Sequence, residues 1–203
     1  GGARGGRDLN YGQYNIWGAK IKGTFALTQS DQIEMAVGVG GNQYYCPHGN
    51  ECGGGGGSFV KNKTTNTLLV AAGGGGGSMG GNYGWSCGRP TSHCEGRSGE
   101  YGGRYGCYCQ PSQPSAGYGG NRCGPHTGAA GGGYYSDGTD GSGHCNMNNS
   151  KGKGWNNGLT GGRGDHCYAP TDGNAGGFGG GGGGNLTSPG AAGGWTGGGT
   201  SGS

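Results

Sequence analysis

Two runs of five glycines, residues 53–57 and 73–77, enclose one short apolar excursion, and a run of six follows at residues 179–184. A helix is a poor home for such runs, because each interior glycine costs about 1 kcal/mol relative to alanine. A strand gains little from residues with no side chain to pack. Glycine supplies 63 of 203 residues, close to the collagen proportion, yet no strict Gly-X-Y period runs through the chain, so a collagen triple helix is excluded. The extended conformation that remains is polyproline II, which makes no hydrogen bonds within its own segment. Side by side, segments without Cβ atoms approach closely enough to pair N–H and C=O groups between neighbours. Residues 53–57, 73–77, 131–133 and 179–184 are therefore expected to form a bundle of polyglycine II helices, a backbone-bonded core in place of an apolar one.

The apolar side chains are unevenly placed. Of nineteen Leu, Ile, Val, Met and Phe residues, fifteen fall at or before Met79, so the two parts of the chain need different architectures. Residues 19–28, AKIKGTFALT, and 31–41, DQIEMAVGVGG, alternate with period two, which argues half-buried strands. The polar stretch TQSDQ between them supplies a turn. SFV and NTLLVAA form a second pair around the polar KNKTTN. At least four antiparallel strands are expected, with Ile33, Met35, Val37 and Val39 on one face and Glu34, Ala36 and Gly38 on the other. Beyond residue 80 no helical apolar period survives. The reading is one domain, 1–203, with its main β part at 12–72 and a glycine- and cysteine-rich part at 73–203.

Nine cysteines (Cys46, Cys52, Cys87, Cys94, Cys107, Cys109, Cys123, Cys145 and Cys167) without a repeated Cys-x-x-Cys pair read as a disulfide framework. That places the protein in an oxidising compartment, secreted or at the cell surface. Cys46 and Cys52, closing the short CPHGNEC loop, are the local pair. An odd number leaves one cysteine over, which is free, bonded beyond this sequence or cross-linked to another copy. The longest apolar run, TLLVAA, falls well short of the roughly 18 residues a membrane-spanning helix needs, so no membrane insertion is expected.

In order and spacing, GTFALTQSDQIEMAVGVGGNQYYCP, GGGGGSFV, LLVAAGGGGGS and AGGFGGGGGGN resemble the extracellular glycine-rich domain of the anaplastic lymphoma kinase and leukocyte tyrosine kinase family. The likeness covers residues 15–80 and, more loosely, 174–198, with LLVAAGGGGGS its most specific part. It implies a small antiparallel β-sandwich of the tumour-necrosis-factor type fused to a hexagonal bundle of glycine helices, to which the cysteine count adds disulfide staples and the glycine content an expectation of almost no α-helix. It also implies a receptor ectodomain that binds a small protein ligand through its sandwich. The cysteine-rich stretch from Ser86 to Gly124 has no counterpart in the resemblance.

Catalytic patterns are lacking: there is no Gly-x-Ser-x-Gly elbow, no His-Glu-x-x-His and no phosphate loop, so neither enzyme activity nor a cofactor is expected. His93-Cys94, His144-Cys145 and His166-Cys167, with His48 near Cys46, lack metal-ligand spacing and read as disulfide cysteines beside incidental histidines. Asp137 and Asp140 sit in a glycine loop that suits calcium in donor type but lacks the regular alternation and distal Glu of a known loop, so a surface turn is the expectation. Arg163-Gly164-Asp165 reads as a coincidence of glycine-rich composition. A net charge of +3 is too small for strong phosphate-driven nucleic-acid binding despite the Arg-Gly-Gly segments. Asn62, Asn148 and Asn185 each start an Asn-x-Ser/Thr glycosylation signal. Asn62 is expected to project from the hairpin tip. These features lead to a structural extracellular module that self-associates through exposed tyrosines, tryptophans and the odd cysteine, with a ligand-binding ectodomain as the alternative.

Overall fold

The structure, a computed structural model, describes residues 1–6, 16–42, 52–77, 115–143, 147–164, 174–185 and 188–201. Its only helix among these is a single 3-10 turn, Trp155–Asn157. Three strands, β1 (Ile33–Ala36), β2 (Ser58–Asn62) and β3 (Thr67–Ala72), form an antiparallel sheet in the order β1-β2-β3. A second, two-residue parallel pair joins β4 (Arg122–Cys123) to β5 (Thr200–Ser201).

The β2–β3 hairpin follows from its sequence. Phe59 and Val60 in one arm and Thr67 and Val70 in the other favour strand, and Asn66 takes the left-handed backbone, φ 57°, that asparagine tolerates best after glycine. The register shifts between Val60 and Lys61, which leaves Leu69 as the extra residue of a bulge. Asn62 opens the turn by accepting the Thr65 N–H on its side-chain oxygen at 3.2 Å.

The first expected strand is absent. The Thr28–Asp31 turn does form, with the Asp31 N–H donating to Thr28 O at 3.0 Å and the Thr28 N–H donating to the Asp31 carboxylate at 2.7 Å. Residues 20–27, however, make no backbone hydrogen bond among the described residues. Gly23 interrupts that segment with the Phe25 ring folded back over it, and an interior glycine weakens a strand.

Beyond the sheet, backbone pairs with backbone across many segments. Four successive N–H groups show the pattern: those of Gly54, Gly55, Gly56 and Gly57 donate to Gly182 O, Gly75 O, Val39 O and Gly179 O at 2.8–3.0 Å. The first and fourth donate to the same segment, and the middle two to different ones. Carbonyls repeat the rule, since Gly53 O and Gly56 O accept from Gly6 and Ala3, while Gly54 O and Gly55 O accept from Gly177 and Gly193. Residues 129–132 do likewise, with Ala129 and Gly132 donating to Gly183 O and Gly180 O, and Ala130 and Gly131 donating to Thr139 O and Gly198 O. Each segment thus bonds in a repeat of three residues to several surrounding segments.

That spacing leaves no room for side chains. A Cβ on Gly54 would lie 2.0 Å from Ala191 O and one on Gly131 1.8 Å from Ala192 O. Small side chains share this interior, and Ala129, Ala130, Cys52 and Ser150 are fully buried.

Candidate functional site

The sheet presents two unlike faces. Side chains alternate across a strand, so Ala36, Phe59 and Ala71, which stand opposite one another, share the inner face. Phe59 is 1% exposed and packs with Tyr134 and Leu159, while Leu68, Trp155 and Trp195 close the cluster. Two alanines beside one phenylalanine leave space for the ring. Trp155 meets the Phe59 ring edge-on at 5.5 Å and stacks on Tyr134 at 5.8 Å, and Tyr134 lies 5.4 Å from Trp195. Lys61 Nζ sits 5.8 Å above the Trp155 ring, a cation–π contact.

These aromatics come from the glycine-rich part of the chain, where the sequence reading expected tyrosines and tryptophans to face outward for contacts between copies. Tyr134 is instead buried, and Trp155 and Trp195 are half-buried, because the inner face of the sheet finds few other large side chains to cover it. Tyr118 and Tyr135, in tilted contact at 5.5 Å, do remain about half exposed.

The outer face is apolar and open. Met35, Val60 and Val70 align across the three strands, and Met35 and Val37 are 70% and 73% exposed. Ile33 and Val39 are exposed as well, and so are Phe25 and Leu27 on the segment before the turn. The alternation Ile33, Met35, Val37, Val39 is therefore present as read, but it faces away from the buried cluster, and Ala36 points inward in its place. Asp31 caps the adjoining turn. Its carboxyl is held below the ordinary range by the Thr28 N–H first and by the Asn62 amide second.

Asn62 does not project from the hairpin. It is the last residue of β2, 5% exposed, and its amide serves the turn. Asn185 is 3% exposed, with its amide nitrogen donating to Ser142 O at 3.0 Å and its oxygen accepting the Ser188 N–H at 2.7 Å. Asn148 alone of the three is exposed. In material secreted from a glycosylating eukaryotic cell, Asn148→Gln is expected to remove a glycan-sized mass from the intact protein, while Asn62→Gln and Asn185→Gln leave it unchanged. Intact-mass spectrometry before and after glycosidase treatment reads this directly, and a glycan on Asn62 would contradict the buried amide.

Asp137 and Asp140 act as anchors for the loop at 151–157. Asp137 accepts the Gly154 N–H at 2.9 Å and the Asn157 amide at 2.8 Å on one oxygen, and meets Lys153 Nζ at 3.0 Å with the other. Asp140 accepts the Lys151 N–H at 3.0 Å and pairs with Lys151 Nζ at 3.8 Å. Among the described residues no group of three or more His, Cys, Asp or Glu side chains is placed to hold a metal ion. Partial burial pushes the Asp137 carboxyl up, but the Gly154 N–H, the Asn157 amide and Lys153 together hold it below the ordinary value. A carboxyl depressed in the folded state adds stability above its unfolded pKa of about 4, and loses it as pH falls through the folded value. Asp137→Asn is thus expected to lower the melting temperature at pH 7, with the difference from the wild type shrinking as pH falls below the ordinary carboxylate range and the wild-type carboxyl is protonated, as followed by calorimetry from neutral to acid pH.

Cys52 is disulfide-bonded and fully buried, and Cys123 lies in β4. Cys46, Cys87, Cys94, Cys107, Cys109, Cys145 and Cys167 lie outside the described residues, as do His48, His93, His144, His166 and Asp165, so the Cys46–Cys52 pairing and the Arg-Gly-Asp loop are left as sequence expectations. Arg163, the first residue of that tripeptide, is exposed. Among the described residues no helix is long and apolar enough to cross a membrane. The chain matches no protein-family model, and no curated protein matches it.

Proposed function

We propose that this chain is a structural, non-enzymatic extracellular module, a self-assembling subunit of a filament or matrix, built as a disulfide-stapled bundle of polyglycine II helices joined to a β-sandwich. The observation that carries the reading is the three-residue recurrence of the backbone bonds, in which Gly54 and Gly57 donate to one segment and Gly55 and Gly56 to two others. A helix with three residues per turn directs its N–H groups in three directions in this way, and six neighbours around one segment follow from it. Such an interior has no apolar side chain to lose and little slack, which suits a part that bears load and resists proteolysis. Several of its apolar side chains remain at the surface, among them Met35 and Val37, and exposed apolar patches mark interaction sites. Disulfides across the cysteine-rich part would lock the bundle and place the protein outside the cell.

The test is the state of the native material. Electron microscopy and unreduced against reduced gels are expected to show regular polymers with a constant subunit spacing. A discrete monomer at every concentration, with or without reductant, overturns the reading.

A further inference from the structure

We infer that the β1 edge and outer face of the sheet form a two-fold interface with a second copy of this chain, which adds its residues 20–27 alongside β1. The inference rests on the self-associating reading above and names one of its contacts, since a two-fold contact alone closes at a dimer and polymer growth needs a second one. Three features meet at this place. β1 is an edge strand in the order β1-β2-β3, so one row of its N–H and C=O groups has no partner in the sheet. Residues 22–28 are exposed chain, and the segment 20–27 forms no backbone hydrogen bond among the described residues. The side chains beside both are apolar and exposed: Phe25 and Leu27 on the segment, Ile33, Met35 and Val37 on the strand and just beyond it.

An exposed strand edge and an unbonded extended segment complete one another by strand addition, main-chain bonds giving affinity and alternate side chains giving register. The two lie on either side of the Thr28–Asp31 turn, yet within one copy the segment leaves β1 without a ladder bond. Charge selects a second copy as the occupant. Lys20 and Lys22 mark the segment, and Asp31 and Glu34 mark the strand side. A two-fold interface must be complementary to itself. With the segment parallel to the partner's β1, the register that sets Lys22 of each copy beside Glu34 of the other also sets Phe25 beside Val37 and Leu27 beside Val39. Val37 then passes from water to the partner's Phe25, and Met35 lies between that ring and the partner's Ile21.

Sedimentation of the full chain over a micromolar concentration series tests this, with three variants. M35E/V37E is expected to abolish association at concentrations where the wild type is dimeric or larger. K20E/K22E and E34K are each expected to weaken it about tenfold or more, and an equimolar mixture of those two to restore it, since each chain then offers the charge the other lacks. Amide hydrogen exchange of the glycine segments, unchanged in all three, shows that the fold is kept. A wild type that associates while M35E/V37E and the charge variants associate equally well overturns this interface and leaves self-assembly standing. A wild type that remains monomeric throughout overturns both.

Discussion

Gly54→Ala is expected to destabilise the protein by about 3 kcal/mol or more, at or above the upper end of ordinary overpacking. The new methyl would lie 2.0 Å from Ala191 O and 2.4 Å from its carbonyl carbon. Neither atom can give way cheaply. Ala191 O accepts the Gly182 N–H at 2.8 Å, and the Ala191 N–H donates to Ala129 O at 3.0 Å, so displacing residue 191 strains two further segments. Gly54 is itself tied to Gly182 O through its N–H and to Gly177 through its carbonyl. For a chain of this size the loss corresponds to a fall of roughly 6 °C or more in melting temperature. Gly143→Ala is the milder comparison, because a Cβ there meets nothing closer than the side-chain Nδ2 of Asn185 at 3.3 Å, and a loss well below that of Gly54→Ala is expected. Equal melting temperatures for the two variants would show that the glycine segments do not pack as tightly as their bonds imply.

Phe59→Ala is expected to cost about 3–5 kcal/mol, the usual range for truncating a buried aromatic. The ring is 1% exposed and touches both layers, the sheet through Ala36 and Ala71 and the aromatic cover through Trp155 and Tyr134. Two alanines at its sides cannot collapse into the space, so most of the cavity would persist. Near-ultraviolet circular dichroism should lose the tryptophan bands, because Trp155 loses the ring it meets edge-on. Phe178→Ala removes the same side chain from a position 41% exposed and is expected to change stability by less than about 0.5 kcal/mol. If the two substitutions cost the same, the aromatic cluster is not the core of the sheet region.

Parts of this molecule are legible in its residues for plain reasons. The β2–β3 hairpin lies within a residue or two of SFV and NTLLVAA, since turn chemistry and β-branched residues act locally. The scarcity of helix among the described residues follows from glycine, whose cost is local as well. The position of Asn62 was readable in principle: an Asn that opens a polar turn commonly bonds its own backbone a few residues on, which argues for a buried amide rather than a projecting one. The orientation of β1 was not readable. Period two divides a strand into two faces without saying which is covered, and Phe59, from another strand, makes Ala36 the inward residue.

What the amino-acid sequence determined by itself is the kind of interior: a chain with 63 glycines and few large apolar residues can close-pack only by bringing backbones together. Which backbones meet was decided by the tertiary structure alone. Polyglycine segments carry no side chains to distinguish one neighbour or register from another, so the pairing of Gly54 with Gly182 and of Ala129 with Gly183 is imposed by the sheet, the turns and the buried aromatic cluster that hold the ends of those segments in place. The same holds for the outer face of the sheet. Its apolar pattern is written in the residues, while its exposure arises only when Phe59 and the aromatics have taken the other side.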